Sequence, residues 1–461
     1  MSSRKNIASF LAALLATSAP VFAQDTPEGG VTLTFGVTSR ISANDNFSLD
    51  VPSPGTLYLW DNILDFRAEN VSQNQRIALT FEGIMRASKA PDESNDISFD
   101  DPDYGFEYER NGAFANLEIT ADVSNDDLRF SDPLLSNDNL GEDSINNSDG
   151  NLEINQAVIV FETGIDKPIG FRAELQHQKN MYTDVTDPDL NDSETNNAFL
   201  TANLRFSPVL QGRVTFDAWD YKSTEDGDPY QRTQEDLGFE LDYIASPIWT
   251  INGRIEYTDV EELDTGVRVD GERGLAGRLG FTREFADGSF GIEAETELSV
   301  NGRRNTFKLT REINAKLYDL NGSFGVTKGP RGGTEWVGGL SVVRDLKSGL
   351  FSALVNRSFS TSDAGSDIQT TWVDVAYRHL ITNESSVVFG YQYAQVADTG
   401  FDDVDEKSTS EIRLAYNRAL TRDWDMQIGV AHRTLDEATA SDKAKSNEVF
   451  FQISREFTMR P

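Results

Sequence analysis

The sequence predicts an all-β fold: a transmembrane antiparallel up-and-down β-barrel of about 22 strands, within a range of roughly 18 to 24. Three observations predict it. Apolar and polar residues alternate with a period of two along most of the chain after Val31. The connections between these runs are alternately short turns and longer, often acidic loops. After the first residues, no stretch approaches the ~20 consecutive apolar residues of a membrane helix.

The composition restricts the classes of partner and chemistry. The 461 residues include 41 Lys and Arg against 76 Asp and Glu, a formal net charge of −35. Such an acidic chain is unsuited to nucleic acid, so no nucleic-acid partner is expected. The absence of cysteine excludes disulfide and thiolate chemistry. With 28 Phe, 13 Tyr and 6 Trp, the chain is too rich in aromatic residues for a disordered acidic polymer.

The N-terminus has the features of a secretory signal peptide over residues 1–23. Arg4 and Lys5 are basic, residues 7–19 are apolar, and a Val-Phe-Ala sequence precedes Gln24. No cysteine follows the cleavage point, so no lipid anchor is expected. Residues 24–461 are then predicted to form a single barrel, with no separate plug or periplasmic domain.

The strands are predicted from alternation with one apolar and one polar face. In residues 249–257, "WTINGRIEY", every second residue is apolar or small and those between them are polar. The same holds for residues 290–298, "FGIEAETEL". Residues 387–393, "VVFGYQY", repeat the spacing with aromatic residues. Each run is about ten residues long, as a membrane-spanning strand requires.

The connections divide into two sets. The short ones are residues 72–75, 207–212, 245–248, 285–289, 345–349, 381–385 and 420–423. The longer, acidic ones are residues 91–105, 184–194, 259–272 and 401–407. Short turns at one end and longer loops at the other are typical of a barrel in the bacterial outer envelope, where the short turns face the periplasm.

The descending strands, which run toward the short turns, set the strand count. They are predicted to end near Arg67, Thr120, Glu162, Phe206, Tyr243, Phe285, Ile313, Leu346, Leu380, Leu420 and Phe457. Eleven such ends imply eleven hairpins. The strand pattern is poorly defined in two regions. In residues 111–152 an ascending strand is placed at 127–134, and in residues 305–329 the strands are short.

The sequence as a whole resembles the outer-membrane β-barrel proteins of Gram-negative bacteria, and porins in particular. The last strand is similar to the assembly signal of that class, with Val449, Phe451, Ile453 and Phe457 on one face. It departs from the class because four residues follow Phe457. The resemblance implies location in the outer membrane, insertion by the barrel assembly machinery, and surroundings of lipid and lipopolysaccharide.

The inner wall is predicted to be polar and charged, which requires water in the lumen. The strand phase directs these side chains inward: Arg40, Arg172, Arg205, Arg213, Arg254, Arg278, Arg413, Arg433, Glu174, Glu240, Asp242, Glu256, Glu293, Glu295 and Glu297. Two interpretations remain open: an aqueous channel, or a lumen filled by an inward loop, for which residues 132–153 are the candidate. The row of glutamates from 293 to 297 either favours cations or is neutralised by Arg278 and Lys308.

A second set of arginines lies in apolar rows close to short turns: Arg283, Arg311, Arg344, Arg418 and Arg455. Each is placed two residues before such a turn. An arginine at the membrane boundary extends its guanidinium to lipid phosphate while its methylenes stay in the apolar layer. We therefore predict that these residues mark the periplasmic interface.

No enzyme motif or cofactor motif is present. The only histidines, His177, His379 and His432, fall in lipid-facing rows and are expected near strand ends, without a nucleophile arranged beside them. No catalytic, metal or cofactor residue is predicted, although acidic loops can hold Ca²⁺ or Mg²⁺ diffusely.

The sequence thus predicts a porin-like passive channel for small hydrophilic solutes. The alternatives are a surface structural or interaction barrel whose acidic loops bind envelope polymer, divalent cations or another protein, and a polysaccharide-export barrel.

Overall fold

The structure, a computed structural model, is a closed antiparallel barrel. It describes residues 29–91, 95–130, 149–187, 190–225, 228–330, 333–362, 365–398, 406–438 and 442–461. Its 22 strands follow one another around the barrel in chain order, and β1 pairs with β22 to close it. The predicted signal peptide lies outside the described residues. Among the described residues, no helix is both long enough and apolar enough to cross a membrane.

The strands are β1 Gly30–Asn44, β2 Leu57–Val71, β3 Gln75–Lys89, β4 Asp96–Asn111, β5 Ala115–Asp127, β6 Asn151–Thr163, β7 Ile169–Thr183, β8 Ser193–Ser207, β9 Leu210–Glu225, β10 Asp228–Ser246, β11 Trp249–Asp264, β12 Val267–Phe285, β13 Gly288–Ser299, β14 Gly302–Ala315, β15 Tyr318–Lys328, β16 Thr334–Leu346, β17 Gly349–Thr361, β18 Asp367–Thr382, β19 Ser385–Asp398, β20 Lys407–Ala419, β21 Trp424–Glu437 and β22 Ala444–Met459. One short 3₁₀ turn, Leu128–Phe130, follows β5.

The alternation of the sequence becomes the two faces of the barrel wall, since successive side chains point to opposite sides of a strand. On β22, Val449 and Phe451 lie outside and are 58% and 40% exposed. Glu448 and Phe450, which alternate with them, lie inside and are 8% and 1% exposed. The outer face is therefore apolar and open to lipid, whereas the inner face is mixed and more enclosed.

The short turns, the start of β1 and the end of β22 share one end of the barrel. Gly30 in β1 pairs with Val71, just before the turn to β3, and Met459 in β22 pairs with Leu33 near the same end. We call this the periplasmic end and the opposite end the extracellular end, as the asymmetry of the connections predicts.

The region between β3 and β6 corrects the sequence analysis. Most of the predicted loop 91–105 is the first half of β4, which ends at Asn111. Thr120 lies inside the ascending strand β5 and does not end a descending one. The ascending strand predicted at 127–134 is the end of β5 and the 3₁₀ turn. The first half of β4 contains several acids and a proline, a composition typical of a loop. In the barrel those acids face the lumen, so they are compatible with a strand.

Another predicted loop, residues 259–272, is mostly strand. β11 continues to Asp264 and β12 starts at Val267. Thr265 and Gly266 form the turn, with φ of 48° and 75°. Two consecutive residues with positive φ match the twist of a two-residue hairpin, so the strands rise as a paired ribbon instead of opening into a loop. The other weak region, residues 305–329, contains parts of β14 and β15, so the predicted count of about 22 strands is confirmed.

Candidate transport lumen

The structure places all the predicted lumen residues on the inner face, and most of them form ion pairs there. Arg213 contacts Glu240 at 2.6 Å and Asp242 at 2.9 Å. Arg254 approaches Glu240 at 3.6 Å and also contacts its neighbour Glu256. These side chains come from three adjacent strands, β9, β10 and β11, so the wall carries a cross-strand network of alternating charge.

Further pairs continue the network around the barrel. Arg40 contacts Glu448 at 2.6 Å across the closing seam between β1 and β22. Glu411 is held between Arg413 at 2.8 Å and Arg433 at 2.5 Å. The pairs Arg40–Glu448 and Arg433–Glu411 join neighbouring strands, so they stabilise the wall as well as lining the lumen.

Two predicted lumen arginines have more local roles. Arg172 contacts Glu174 at 2.6 Å on the same strand. Arg205 lies near the periplasmic end, where it donates hydrogen bonds to the carbonyls of Gly164 and Lys167 at 3.5 and 2.9 Å. Arg205 therefore caps the turn between β6 and β7.

The glutamates of β13 have weaker partners. Glu293 lies 3.9 Å from Arg278, and Glu295 lies 4.0 Å from Lys308. Glu297 lies 3.7 Å from Arg304 and keeps 49% of its side chain exposed. These long distances leave the three carboxylates only partly neutralised.

An acidic row that the sequence analysis missed lies on β2, β3 and β4. Asp65 is directly opposite Glu82, and Glu82 is directly opposite Asp103, all on the inner face. Asp122 and Asp126 of β5 are inward neighbours of this row. Among the described residues, none of these five carboxylates forms an ion pair. Like charges opposite each other destabilise a sheet, and only the strand register, which the sequence does not reveal, brings them together.

The extracellular mouth is narrowed by hairpins that leave the wall. The ladder between β16 and β17 ends at Gly338 and Arg357, yet β17 continues to Thr361, paired only with β18. The tip of this hairpin reaches other strands: Arg232 of β10 donates a 2.7 Å hydrogen bond to the carbonyl of Ser362. The β17–β18 hairpin thus extends over the lumen.

The β13–β14 hairpin meets it there. Asn301 at its tip donates to the carbonyl of Gly365 at 2.6 Å. Arg304, only 8% exposed in its side chain, donates to the carbonyl of Phe359 and the hydroxyl of Thr361, each at 2.8 Å. Arg304 therefore links the β13–β14 hairpin to the β17–β18 hairpin by hydrogen bonds.

The β1–β2 connection folds inward as well. Leu49 packs in an apolar cluster on the inner face with Ile368, Trp372, Ala394, Val396, Leu435 and Ala444. Phe47 contacts Phe130, with ring centroids 5.4 Å apart, and the Arg86 guanidinium lies 3.9 Å from the Phe130 centroid. No local pattern of the sequence indicates this cluster, because its members come from five separate segments of the chain.

The inward loop predicted at residues 132–153 lies largely outside the described residues. Just before it, Arg129 in the 3₁₀ turn forms a 2.7 Å ion pair with Asp127. Hydrogen bonding to that carboxylate raises the pKa of Arg129 above its ordinary value.

The structure places the second set of arginines on the outer face near the periplasmic end. Arg283 lies against the rings of Trp249 and Phe285, at 5.6 and 5.0 Å. Arg455 lies 4.2 Å from the Phe457 ring, and Arg344 and Arg418 occupy equivalent positions on β16 and β20. Their role as lipid-phosphate anchors, like the assembly role of Val449, Phe451, Ile453 and Phe457, remains a prediction.

Arg311 departs in detail from the predicted spacing. Its strand β14 continues to Ala315, so it lies four residues before the end of the strand instead of two before the turn. Its guanidinium reaches the start of β13, donating to the carbonyl of Ser289 at 3.0 Å, and the turn before that strand, donating to Asp287 at 3.2 Å.

The three histidines lie on the outer face. His177 and His432 each share a 2.8 Å hydrogen bond with an asparagine of the next strand, Asn196 and Asn447 respectively. His379 lies near the periplasmic end of β18, as predicted, whereas His177 in β7 and His432 in β21 lie within their strands and not near a strand end. Within the described ranges, no group of three or more His, Asp or Glu is arranged to hold a metal ion.

No protein-family model matches the chain, and no curated protein matches its sequence. Solved structures match its fold. The FrpB iron transporter from Neisseria meningitidis has a TM-score of 0.61 at 10% identity, covering 95% of this chain and 83% of that one. The copper transporter OprC has 0.57 at 11%, covering 93% and 81%. The siderophore receptor PirA from Pseudomonas aeruginosa has 0.55 at 8%, covering 94% and 81%.

At such low identity the likeness concerns the fold. It confirms the predicted antiparallel membrane barrel. A closed barrel has no free strand edge and presents an apolar band to lipid, which are the conditions for spanning a bilayer with strands. The chain is therefore a β-barrel protein of the Gram-negative outer membrane.

Proposed function

We propose that this barrel is a porin-like passive channel that lets small hydrophilic solutes cross the outer membrane through a charged, hydrated lumen. The solvent contact of the inward charges carries the proposal. The side chains of Glu297, Arg278 and Asp242 keep 49%, 38% and 35% of their surface exposed. In a dry lumen each such charge would cost several kcal/mol. Water around them favours a path for hydrated solutes.

The comparisons support transport as the general class. FrpB, OprC and PirA are named as an iron transporter, a copper transporter and a siderophore receptor. Barrels of 22 strands enclose a lumen wide enough to need filling, and outer-membrane transporters of this size are plugged. In this chain the inward hairpins take up part of that space at the extracellular mouth.

A second candidate, a surface interaction barrel, is favoured by the same hairpins. If they close the mouth completely, the extracellular surface would serve as a binding platform and the lumen would carry no flux. The two candidates differ in one measurable property, the ion conductance of the purified protein.

In a planar lipid bilayer, the purified barrel is expected to insert and produce stable conductance steps in potassium chloride, because hydrated ions can follow the charged wall. The heat-unfolded protein is the control for steps caused by detergent. A folded barrel, recognised by its resistance to unfolding in cold sodium dodecyl sulfate, that inserts without producing steps would contradict the channel and favour the interaction barrel.

Cations are expected to pass more readily than anions, since Asp65, Glu82 and Asp103 present unpaired negative charge to the lumen. Under a potassium chloride gradient, the reversal potential should have the sign of cation selectivity. The triple variant Asp65→Asn, Glu82→Gln, Asp103→Asn should move it toward zero.

The matched control removes the same charge from periplasmic turns: Asp166→Asn, Glu384→Gln and Asp423→Asn. It should leave the reversal potential close to that of the unaltered protein. If the control moves the potential as far as the lumen variant does, total charge and not the acidic row determines selectivity.

A further inference from the structure

A groove on the outer, lipid-facing surface lies across β12 to β15 and has a volume of about 590 Å³. Its outward walls are apolar: Leu275, Leu279, Phe307 and Val326 are 57%, 48%, 45% and 42% exposed. Ala294 lies between Leu279 and Phe307, directly opposite both, and is the small floor of the groove. The apolar lining of the groove suits an acyl chain.

Three cations stand above this groove at its extracellular end. Arg273 of β12, Arg303 of β14 and Lys328 of β15 all point outward and are exposed. Arg303 crosses toward β12, where its guanidinium donates a 2.7 Å hydrogen bond to the carbonyl of Leu275. Lys328 forms no ion pair with any described residue. In a chain of net charge −35, such a local excess of positive charge on the membrane side points to an anionic partner.

Arg273, Arg303 and Lys328 form the cationic rim of the groove. Nearby acids neutralise the positive charge of this rim only in part. Arg273 approaches Asp259 at 3.7 Å and Glu261 at 3.6 Å, both on β11, and keeps 54% of its side chain exposed. Those distances are too long for hydrogen-bonded pairs. Arg303 and Lys328 lie on the far side of Arg273 from these acids, so the anion would bind toward β14 and β15.

The rim lies at the depth of the outer-leaflet headgroups. Arg303 and Arg311 occupy the same outer face of β14, eight residues apart. At about 3.3 Å per residue this spans ~26 Å along the strand, or ~20 Å across the membrane for a strand tilted by ~40°. An apolar band of ~25 Å is typical of such barrels. With Arg311 at the predicted periplasmic boundary, Arg303 lies near the opposite one.

The inward hairpin creates the opening above the groove. The ladder between β12 and β13 stops at Gly277 and Thr296, and the rest of β13 turns into the lumen. The paired wall therefore ends closer to the periplasm here than on the neighbouring strands. The carbonyl of Leu275, which lies beyond the end of the β12–β13 ladder, accepts a hydrogen bond from Arg303 instead. Headgroup-level cations and an acyl-sized groove thus occur together at one break in the wall.

We propose that this surface binds a phosphorylated lipid of the outer leaflet, with its phosphate at Arg303, Lys328 and Arg273 and one acyl chain in the groove. Arginine and lysine suit phosphate through charge-assisted hydrogen bonds. The shape of the groove adds a requirement for an acyl chain that a free phosphate ion does not meet.

The test uses the folded full-length barrel in phosphatidylcholine nanodiscs, with bis-phosphorylated lipid A added and its retention measured by native mass spectrometry. The double variant Arg303→Gln, Lys328→Gln should bind lipid A roughly 30-fold more weakly, at about a factor of five for each cation lost near a membrane surface. Lys328→Gln alone, which breaks no ion pair with any described residue, should bind about five-fold more weakly. Dephosphorylated lipid A should be retained less than the phosphorylated form.

Two further variants test the acyl-chain groove and the specificity of the cation site separately. Ala294→Phe fills the groove and should weaken lipid A binding while leaving the cations in place. The control Lys89→Gln, Lys445→Gln removes two exposed outward cations from the extracellular ends of β3 and β22 and should retain lipid A normally. Equal losses in the control, full retention by Ala294→Phe, or competition by inorganic phosphate at the same concentration as the lipid would each overturn the proposed site.

Discussion

Single-channel conductance is expected to rise several-fold when the β17–β18 hairpin is cut back to the barrel wall. Arg357 and Thr371 are directly opposite each other at the last level where β17 still pairs with β16. Joining them through an Asn-Gly turn, which suits a two-residue hairpin, removes residues 358–370. That segment carries the contacts to Arg232, Asn301 and Arg304, so the obstruction is lost. The three pairs that residues 368–370 make with β19 are removed with it, whereas the pairs of β17 with β16 and those of β18 with β19 from Thr371 onward remain.

The matched control shortens the β7–β8 connection in the same way, between the directly opposed Gln178 and Thr195. Both strands of that hairpin stay paired with their outer neighbours up to its base, β7 with β6 at Thr183 and β8 with β9 at Ser193. Its loss should therefore leave the conductance unchanged. Equal conductance in the β17–β18 variant and the unaltered protein would show that the hairpin does not limit flux.

Leu279→Arg is expected to block assembly of the barrel or to lower its stability severely. Leu279 is 48% exposed on the lipid face of β12, between Arg273 and Arg283. An arginine near the middle of the bilayer costs about 2 to 4 kcal/mol, against about 0 to 1 kcal/mol at the interface. A loss of about 2 kcal/mol or more in folding free energy lowers the folding equilibrium constant roughly 30-fold or more. Urea titration in lipid vesicles, followed by the gel-mobility difference between folded and unfolded barrel, measures it.

Thr306→Arg is the control, because it places the same side chain at a similar depth on the lumen face. Thr306 is directly opposite Glu295, which already lies 4.0 Å from Lys308 and can take a second cation. This variant should assemble with near-normal stability. Should Leu279→Arg unfold at the same urea concentration as the unaltered barrel, the assignment of that face to lipid would be wrong.

Several parts of the fold are predictable because they depend only on local alternation. The faces of β11, β13 and β22 follow directly from the period of two, since each residue of a strand points to the side opposite its neighbours. For the same reason Arg254 and Glu293 are found on the inner face and Arg283 and Arg455 on the outer face. The region around β4 was not predicted correctly. Acids such as Asp100 and Asp103 are typical of a loop, and only the barrel structure shows that they face a hydrated lumen.

The sequence by itself determined the membrane barrel, its approximate strand number and the polarity of both faces, because these follow from residue types at fixed spacing. The tertiary structure alone decided which side chains meet. Strand register aligned Asp65, Glu82 and Asp103 in one row, and the early end of two ladders sent the β13–β14 and β17–β18 hairpins into the lumen. Contacts such as that between Asn301 and Gly365 join segments 64 residues apart, and no periodicity encodes them, because closing the barrel is what brings such distant hairpins together.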